Sequence, residues 1–163
     1  MQITVPMYVK GRSFIMAGGL VNAYGGDRFV YFHLLCQGIE CIAKAVLLNQ
    51  DYELYEPKLK DKFGHDLTKL YCEVEKTNSV FTLSKGAVLE LEFLNRYYKR
   101  HMLRYGSEVD FGEDTKSLKV GQLYREVLAC LTALNELFTI YVQYLTNCSR
   151  EIRNAWHFHY ALV

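Results

Sequence analysis

Between Arg28 and Gln50 the sequence reads RFVYFHLLCQGIECIAKAVLLNQ, a stretch that is apolar almost throughout and contains no proline. Read as one helix, its interior carries four polar positions, His33, Gln37, Glu40 and Lys44. Their spacing of +4, +3 and +4 keeps them within roughly 60° of arc, because each helical residue advances about 100°. A helix apolar on nearly every side must be surrounded by protein. Its one polar seam therefore faces water, a cleft or the polar groups of another chain. The first reading is a solvent strip steadied by a Glu40–Lys44 pair in the favourable i,i+4 order. The second makes the seam one wall of a functional groove. Either way, the rest of the chain must wrap this segment.

The remaining sequence suits that task. With 163 residues, half of them hydrophobic, the chain is expected to form a single domain over 1–163, with a tail at about 148–163 of open conformation. Pro6 and Pro57 are its two prolines, so long helices are permitted almost everywhere. The net charge of +1 gives no global attraction to nucleic acid or to a membrane. Five cysteines (Cys36, Cys41, Cys72, Cys130 and Cys148) lack any C-x-x-C spacing, which argues against a disulfide framework and for a reducing, cytoplasmic setting. His157 and His159 are two apart and have no Cys pair at zinc-finger spacing, so neither metal nor cofactor is expected. Near the N-terminus, FIMAGGLV is too short and too glycine-broken for a signal-peptide core, and no run of 18 uninterrupted apolar residues occurs, so no membrane association is expected.

In chain order, Met1–Met7 reads as an extended arm ending at Pro6. Tyr8–Tyr24 reads as a helix with Phe14, Ala17, Gly18 and Val21 on one side. Gly25-Gly26-Asp27 supplies a stop and then an N-cap for the central helix. Asp51–Gly64, charged and containing Pro57, reads as a connector. Asp66 caps a short helix whose Leu67, Leu70, Tyr71 and Val74 fall at i, i+3, i+4 and i+7, ended by Thr77-Asn78-Ser79. Ser84 caps a helix to about Tyr105, with Val88, Leu91, Leu94 and Tyr98 inward. Leu118–Asn147 is the longest helix, with Val120, Tyr124, Val127, Leu131, Leu134, Phe138, Tyr141 and Leu145 alternating +4 and +3 as in a coiled-coil seam. These elements define an all-α, up-and-down bundle of about five helices.

Two local features bear on function. Arg96, Arg100 and Arg104 would form a basic stripe, with Lys99 and His101 between them. It is balanced either by the acidic loop Ser107–Asp114 or by an external phosphate. Tyr97, Tyr98 and Tyr105 are placed for core packing or for stacking on bases. Common catalytic signatures (G-x-S-x-G, the P-loop, H-E-x-x-H) are absent.

Gly38-Ile39-Glu40 with Lys44-Ala45, then Gly64-His65-Asp66-Leu67 with Leu70, resembles the first half of a HEPN domain, the "higher eukaryotes and prokaryotes nucleotide-binding" helical fold. Leu94-Asn95-Arg96-Tyr97-Tyr98 and Arg104-Tyr105-Gly106 are similar to the segment that precedes the family's last helix, with Gly106 where the family places a proline. The matches span roughly Phe29 to Tyr141 in the expected order. The resemblance implies a helical bundle, usually a homodimer, that binds a nucleotide or RNA through Glu40, Lys44, His65, Arg100 and Arg104. It also implies a place in a toxin–antitoxin or defence system, with an antitoxin or nucleotidyltransferase as partner.

Catalytic members of that family carry Arg, four to six residues, then His, near the start of the final core helix. In this chain Arg153 and His159 have that spacing, but they lie in the tail. Catalytic residues are therefore not assigned. The alternatives are a non-enzymatic dimeric scaffold that binds partners, and a metal-independent ribonuclease using Arg153 and His159.

Overall fold

The computed structural model describes residues 4–105 and 120–138. Among them the chain is all-α: α1 (Thr4–Ala23), α2 (Arg28–Gln50), α3 (Tyr52–Lys58), a single π turn (Leu59–Phe63), α4 (Leu67–Thr77), α5 (Lys85–Tyr98) and α6 (121–138). The predicted helical bundle is therefore present, and α2 is its axis. Fourteen of the 23 residues of α2 are buried, on nearly every side, which makes it the element the others surround. Among the described residues α2 alone is long and apolar enough to cross a membrane, and 67% of that apolar window is buried inside the bundle, as in a central core helix.

Helix α1 runs antiparallel to α2 at close range. Gly11 faces Gly38 and Ile42, while Gly18 faces Leu34 and Tyr31. A Cβ built on Gly38 would stand 2.5 Å from Ile15 Cδ1 and 2.9 Å from the Gly11 carbonyl oxygen, so the crossing depends on the missing side chains. The buried line of α1 is Val5, Tyr8, Gly11, Ile15 and Gly18 rather than the predicted Phe14–Val21 face, of which only Gly18 is buried. Glycine carries no hydrophobic signal, so a reading by apolar periodicity rotates the helix incorrectly. The predicted extended arm is also corrected: α1 already begins at Thr4, with Pro6 in its first turn, where a missing N–H costs nothing.

The predicted connector 51–64 is helical as well. Asp51 ends α2 and its carboxylate caps α3 by accepting from Leu54 N–H at 3.0 Å. The π turn then closes at Gly64, whose N–H donates to Leu59 O at 3.0 Å and whose φ of 53° favours glycine. Asp66 caps α4 as expected, and Leu67, Leu70, Tyr71 and Val74 are all buried. Buried Asn95 of α5 fixes the start of α4. Its Oδ1 accepts from Leu67 N–H at 2.9 Å, and its amide donates to Asp66 at 2.8 Å and Thr68 at 2.9 Å.

Helix α5 stops at Tyr98, short of the predicted Tyr105. Met102 N–H donates to Tyr97 O at 3.1 Å and His101 N–H to Tyr98 O at 2.9 Å, with His101 at φ 60°. This is a Schellman stop, with histidine where glycine is usual. Consequently Arg96, Arg100 and Arg104 do not continue along one helix, and the predicted stripe is broken after its first member.

Helix α6 packs antiparallel to α1. Tyr8 stacks on Phe138 with ring centroids 4.4 Å apart and donates to Asn135 Oδ1 at 2.7 Å. The seam of α6 holds through Val120, Val127, Leu131, Leu134 and Phe138, and Leu123, of a second apolar set that widens the face, is also in the core; Tyr124, expected in the seam, is half-buried beside Tyr31. Glu90 of α5 and its N-cap Ser84 tie down the N-terminal half of α6: Glu90 accepts from Leu123 N–H at 2.7 Å, and Ser84 donates to Glu126 at 2.7 Å. Tyr141, Leu145, the acidic loop Ser107–Asp114, Cys148, and Arg153 with His159 lie outside the described residues.

Candidate functional site

The polar seam of α2 points at the junction of α4 and α5. Glu40 is 4% exposed, and three side chains from three parts of the chain converge on its carboxylate. Lys44, one turn on, donates at 2.7 Å. Tyr98, at the end of α5, donates at 2.6 Å. His65, just after the Gly64 turn, places Nδ1 3.1 and 3.0 Å from the two carboxylate oxygens. The solvent-strip reading therefore fails for Glu40: its charge is enclosed and satisfied within the fold.

Each partner owes its position to a local structural device. Lys44 follows from the i,i+4 helical repeat. Gly64 turns the chain so that His65 precedes the Asp66 cap of α4, and Asn95 locks that start to α5. Three residues further along α5, Tyr98 then falls opposite Glu40. The segments GIE-x₃-K, GHDL and LNRYY are thus neighbours in space.

Burial raises the proton affinity of Glu40, but the hydrogen bonds from Lys44, Tyr98 and His65, with the Lys44 charge, outweigh it, and the carboxyl is held below its usual value. Burial, reinforced by the Glu40 charge and hydrogen bond, pushes the Tyr98 phenol far up, so it stays a donor. The Tyr98 oxygen also lies 3.0 Å from Gln37 Oε1. A phenol has one proton and gives it to the carboxylate, the shorter and charged partner. With the Gln37 amide turned so that its NH₂ donates back, both contacts are satisfied.

The seam's upper half contributes too. His33 lies 5.8 Å, ring to ring, from Tyr98, and its Nδ1 is buried with no hydrogen-bond partner. Burial first, then the charges of Arg104 and His101, lower its pKa against the opposing pull of Glu40. The Schellman turn brings His101 to 5.1 Å from the His65 ring. His101, Tyr98 and Gln37 are members of the cluster that sequence reasoning did not single out as a group. Each carried a separate signal, Gln37 in the α2 seam, Tyr98 on the inward side of α5 and His101 between the stripe arginines, but nothing in the sequence joined them.

The five sequence-derived site residues divide accordingly. Glu40, Lys44 and His65 come together in direct contact. Arg104 is exposed in the turn after α5 and near enough to act on the titration of His33. Arg100 is exposed in the same turn, immediately before His101. The tyrosines separate as well: Tyr98 is buried in the cluster, Tyr97 is half-buried against Phe93, and Tyr105 is 79% exposed.

Chemically, a carboxylate that holds Nδ1 of a histidine fixes the ring and leaves Nε2 for another partner. The His65 side chain is 43% exposed. Lys44 is paired with Glu40, and the turn after α5 carries the exposed Arg100 and Arg104. Lys99 of that turn lies 3.7 Å from Asp66. Among the described residues no group of three or more His, Cys, Asp or Glu is arranged to hold a metal ion. Compared with protein-family models, curated proteins and solved structures, the chain has no match.

Proposed function

We propose that this protein is a HEPN-like module that binds a nucleotide or RNA, with the phosphate met by His65 Nε2 and by Arg100 and Arg104. Glu40 and Lys44 act beneath them as the charge pair that sets the His65 ring. The observation that carries this reading is the convergence of three separated segments on the enclosed Glu40 carboxylate, with a 43% exposed His65 next to His101 in the turn that also carries the exposed Arg100 and Arg104. Tyr105, exposed beside Arg104, is available to stack on a base. A role in a toxin–antitoxin or defence system, with an antitoxin or nucleotidyltransferase as partner, belongs to the same proposal.

Fluorescence anisotropy with a short single-stranded RNA and with mononucleotides is the direct test. Binding should weaken steeply between 50 and 200 mM salt, on the order of 0.7 units of log–log slope for each phosphate neutralised. Arg100→Gln with Arg104→Gln should lower both affinity and slope. Salt-insensitive binding, or none, overturns the proposal.

A second reading, the dimeric scaffold, is favoured by the outer side of α1. Val9 (42% exposed), Met16 (51%) and Leu20 (59%) form an apolar stripe along that helix. Its test is the oligomeric state by sedimentation, with Met16→Lys expected to yield monomers. The ribonuclease reading needs Arg153 and His159, and metal-independent cleavage that survives their replacement by Ala would remove it.

A further inference from the structure

His33 occupies the position of the α2 seam that the Glu40 network leaves out. Its ring is half-buried beside Tyr98, yet its Nδ1 is closed off from water and has no hydrogen-bond partner. A neutral imidazole tolerates this, because the enclosed nitrogen can be the acceptor of the tautomer protonated at Nε2. A protonated imidazole does not. Both nitrogens are then donors, and Nδ1 becomes an enclosed N–H on a charged ring with nothing to accept it.

Among the described residues, the groups that face His33 offer no remedy. From α5 comes the Tyr98 hydroxyl, which donates to Glu40 at 2.6 Å. From α2 come Gln37, whose Oε1 lies 3.0 Å from the Tyr98 oxygen, and Glu40, already engaged by Lys44, Tyr98 and His65. From the turn after α5 come Arg104 and His101, whose charges oppose a proton on His33 while that of Glu40 favours it. Loss of hydration is the largest influence on the ring, and it too disfavours the charged form.

Helix α2 is the buried axis of the bundle, so relief must come from the turn. Residues 99–105 are exposed apart from buried Leu103 and half-buried Met102. The stop also requires His101 at φ 60°, a conformation that residues with side chains rarely adopt.

We propose that the turn 99–105 is a proton-operated latch, closed against α2 while His33 is neutral and released in acid, because a protonated His33 reaches water only when the turn moves away. Release also frees His101 from its left-handed conformation, so strain and proton uptake act in the same direction. The turn carries Arg100 and Arg104 with it. As regulation of phosphate binding the inference rests on the reading given above, but the latch is measured without any ligand, so the two fail separately. A ring that ionises only in the open state, at about the ordinary histidine pKa of 6.5, multiplies the opening constant up to about tenfold between pH 7.5 and pH 5.5.

The test is amide hydrogen exchange of the full chain, read by mass spectrometry on peptides covering 97–105 and 28–50 and corrected for intrinsic rates. Opening of the turn should rise severalfold, toward tenfold, between those two pH values, while the α2 peptides keep their protection. His33→Phe keeps a ring against Tyr98 but takes no proton, so opening in that variant should be independent of pH. His101→Asn suits the left-handed conformation and removes the neighbouring imidazole, and it should leave the pH dependence in place. Turn protection unchanged by acid in the wild type, a pH dependence that survives in His33→Phe, or one lost in His101→Asn would each overturn the proposal. Parallel loss of protection in α2 would overturn it as well, since that is global unfolding rather than a latch.

Discussion

Glu40→Gln keeps the shape of the side chain at the centre of the polar cluster and removes its charge. At neutral pH the wild-type carboxylate accepts from Lys44 at 2.7 Å, Tyr98 at 2.6 Å and His65 at 3.0 Å. Glutamine offers one acceptor oxygen and two N–H donors, so it can retain the Tyr98 bond but turns donors toward Lys44 or His65. Removing one partner of a buried ion pair costs about 3–5 kcal/mol. Here the loss is smaller, since Lys44 keeps 16% side-chain exposure and can regain some hydration. A destabilisation of about 2–3 kcal/mol follows, or roughly 5–10 °C in Tm for a chain of this size.

The pH dependence supplies an independent check on the same residue. Because the folded-state pKa of Glu40 is depressed, its contribution is present above the unfolded pKa and disappears as pH falls through the folded value. The gap between wild type and Glu40→Gln in urea midpoints should therefore be full at pH 7 and close progressively below about pH 4. Equal stability of the two proteins at pH 7, or a gap that does not change with acid, would refute the claim that an ionised, hydrogen-bonded Glu40 organises this junction.

Four further perturbations probe the supporting structure. Gly38→Ala should lower stability by about 1–3 kcal/mol in chemical denaturation, because overpacking against Ile15 and the Gly11 carbonyl outweighs a gain of about 1 kcal/mol in helix propensity. Asn95→Ala strands the buried Leu67 N–H and two side chains and should cost about 2–3 kcal/mol by the same assay, with equal midpoints refuting its role as a fastener. His101→Gly relieves the left-handed conformation at φ 60° and should raise stability by about 1 kcal/mol while weakening RNA binding, if the imidazole beside His65 serves the ligand. His33→Phe should flatten the pH profile. Its folded pKa lies below the unfolded one, so the unfolded state takes up the proton first and wild-type stability drops as pH falls below about 6.5. Parallel profiles for wild type and variant between pH 7 and pH 5 would count against that assignment.

What the sequence disclosed depends on how each contact is encoded. The α2, α4 and α6 faces were legible because Leu, Ile, Val and Phe at 3.6-residue spacing report burial directly. The α1 face was legible only at Gly18: the line through Val5, Tyr8 and Ile15 is interrupted by Gly11, where the contact with α2 is signalled by a missing side chain. The end of α5 was misplaced for a related reason: a Schellman stop is read from glycine, and this one uses His101. Helix α3 and the π turn were hidden by Pro57 and by charge, although Asp51 at the end of α2 was a usable N-cap signal.

The candidate site divides along the same line. The +4, +3, +4 seam showed that His33, Gln37, Glu40 and Lys44 share a face, since that follows from one helix alone. It did not show what the seam faces, because Tyr98 and His65 reach Glu40 only through the packing of α4 and α5 against α2. That packing converts a surface-type i,i+4 pair into a buried charge with three donors. The change of environment is large: the same Glu–Lys spacing contributes about 0.2–0.5 kcal/mol on an exposed helix, yet several times that when its removal strands a buried partner. A spacing rule can therefore identify the pair, but only the third and fourth participants, supplied by distant segments, decide whether it supports a site or merely decorates a surface.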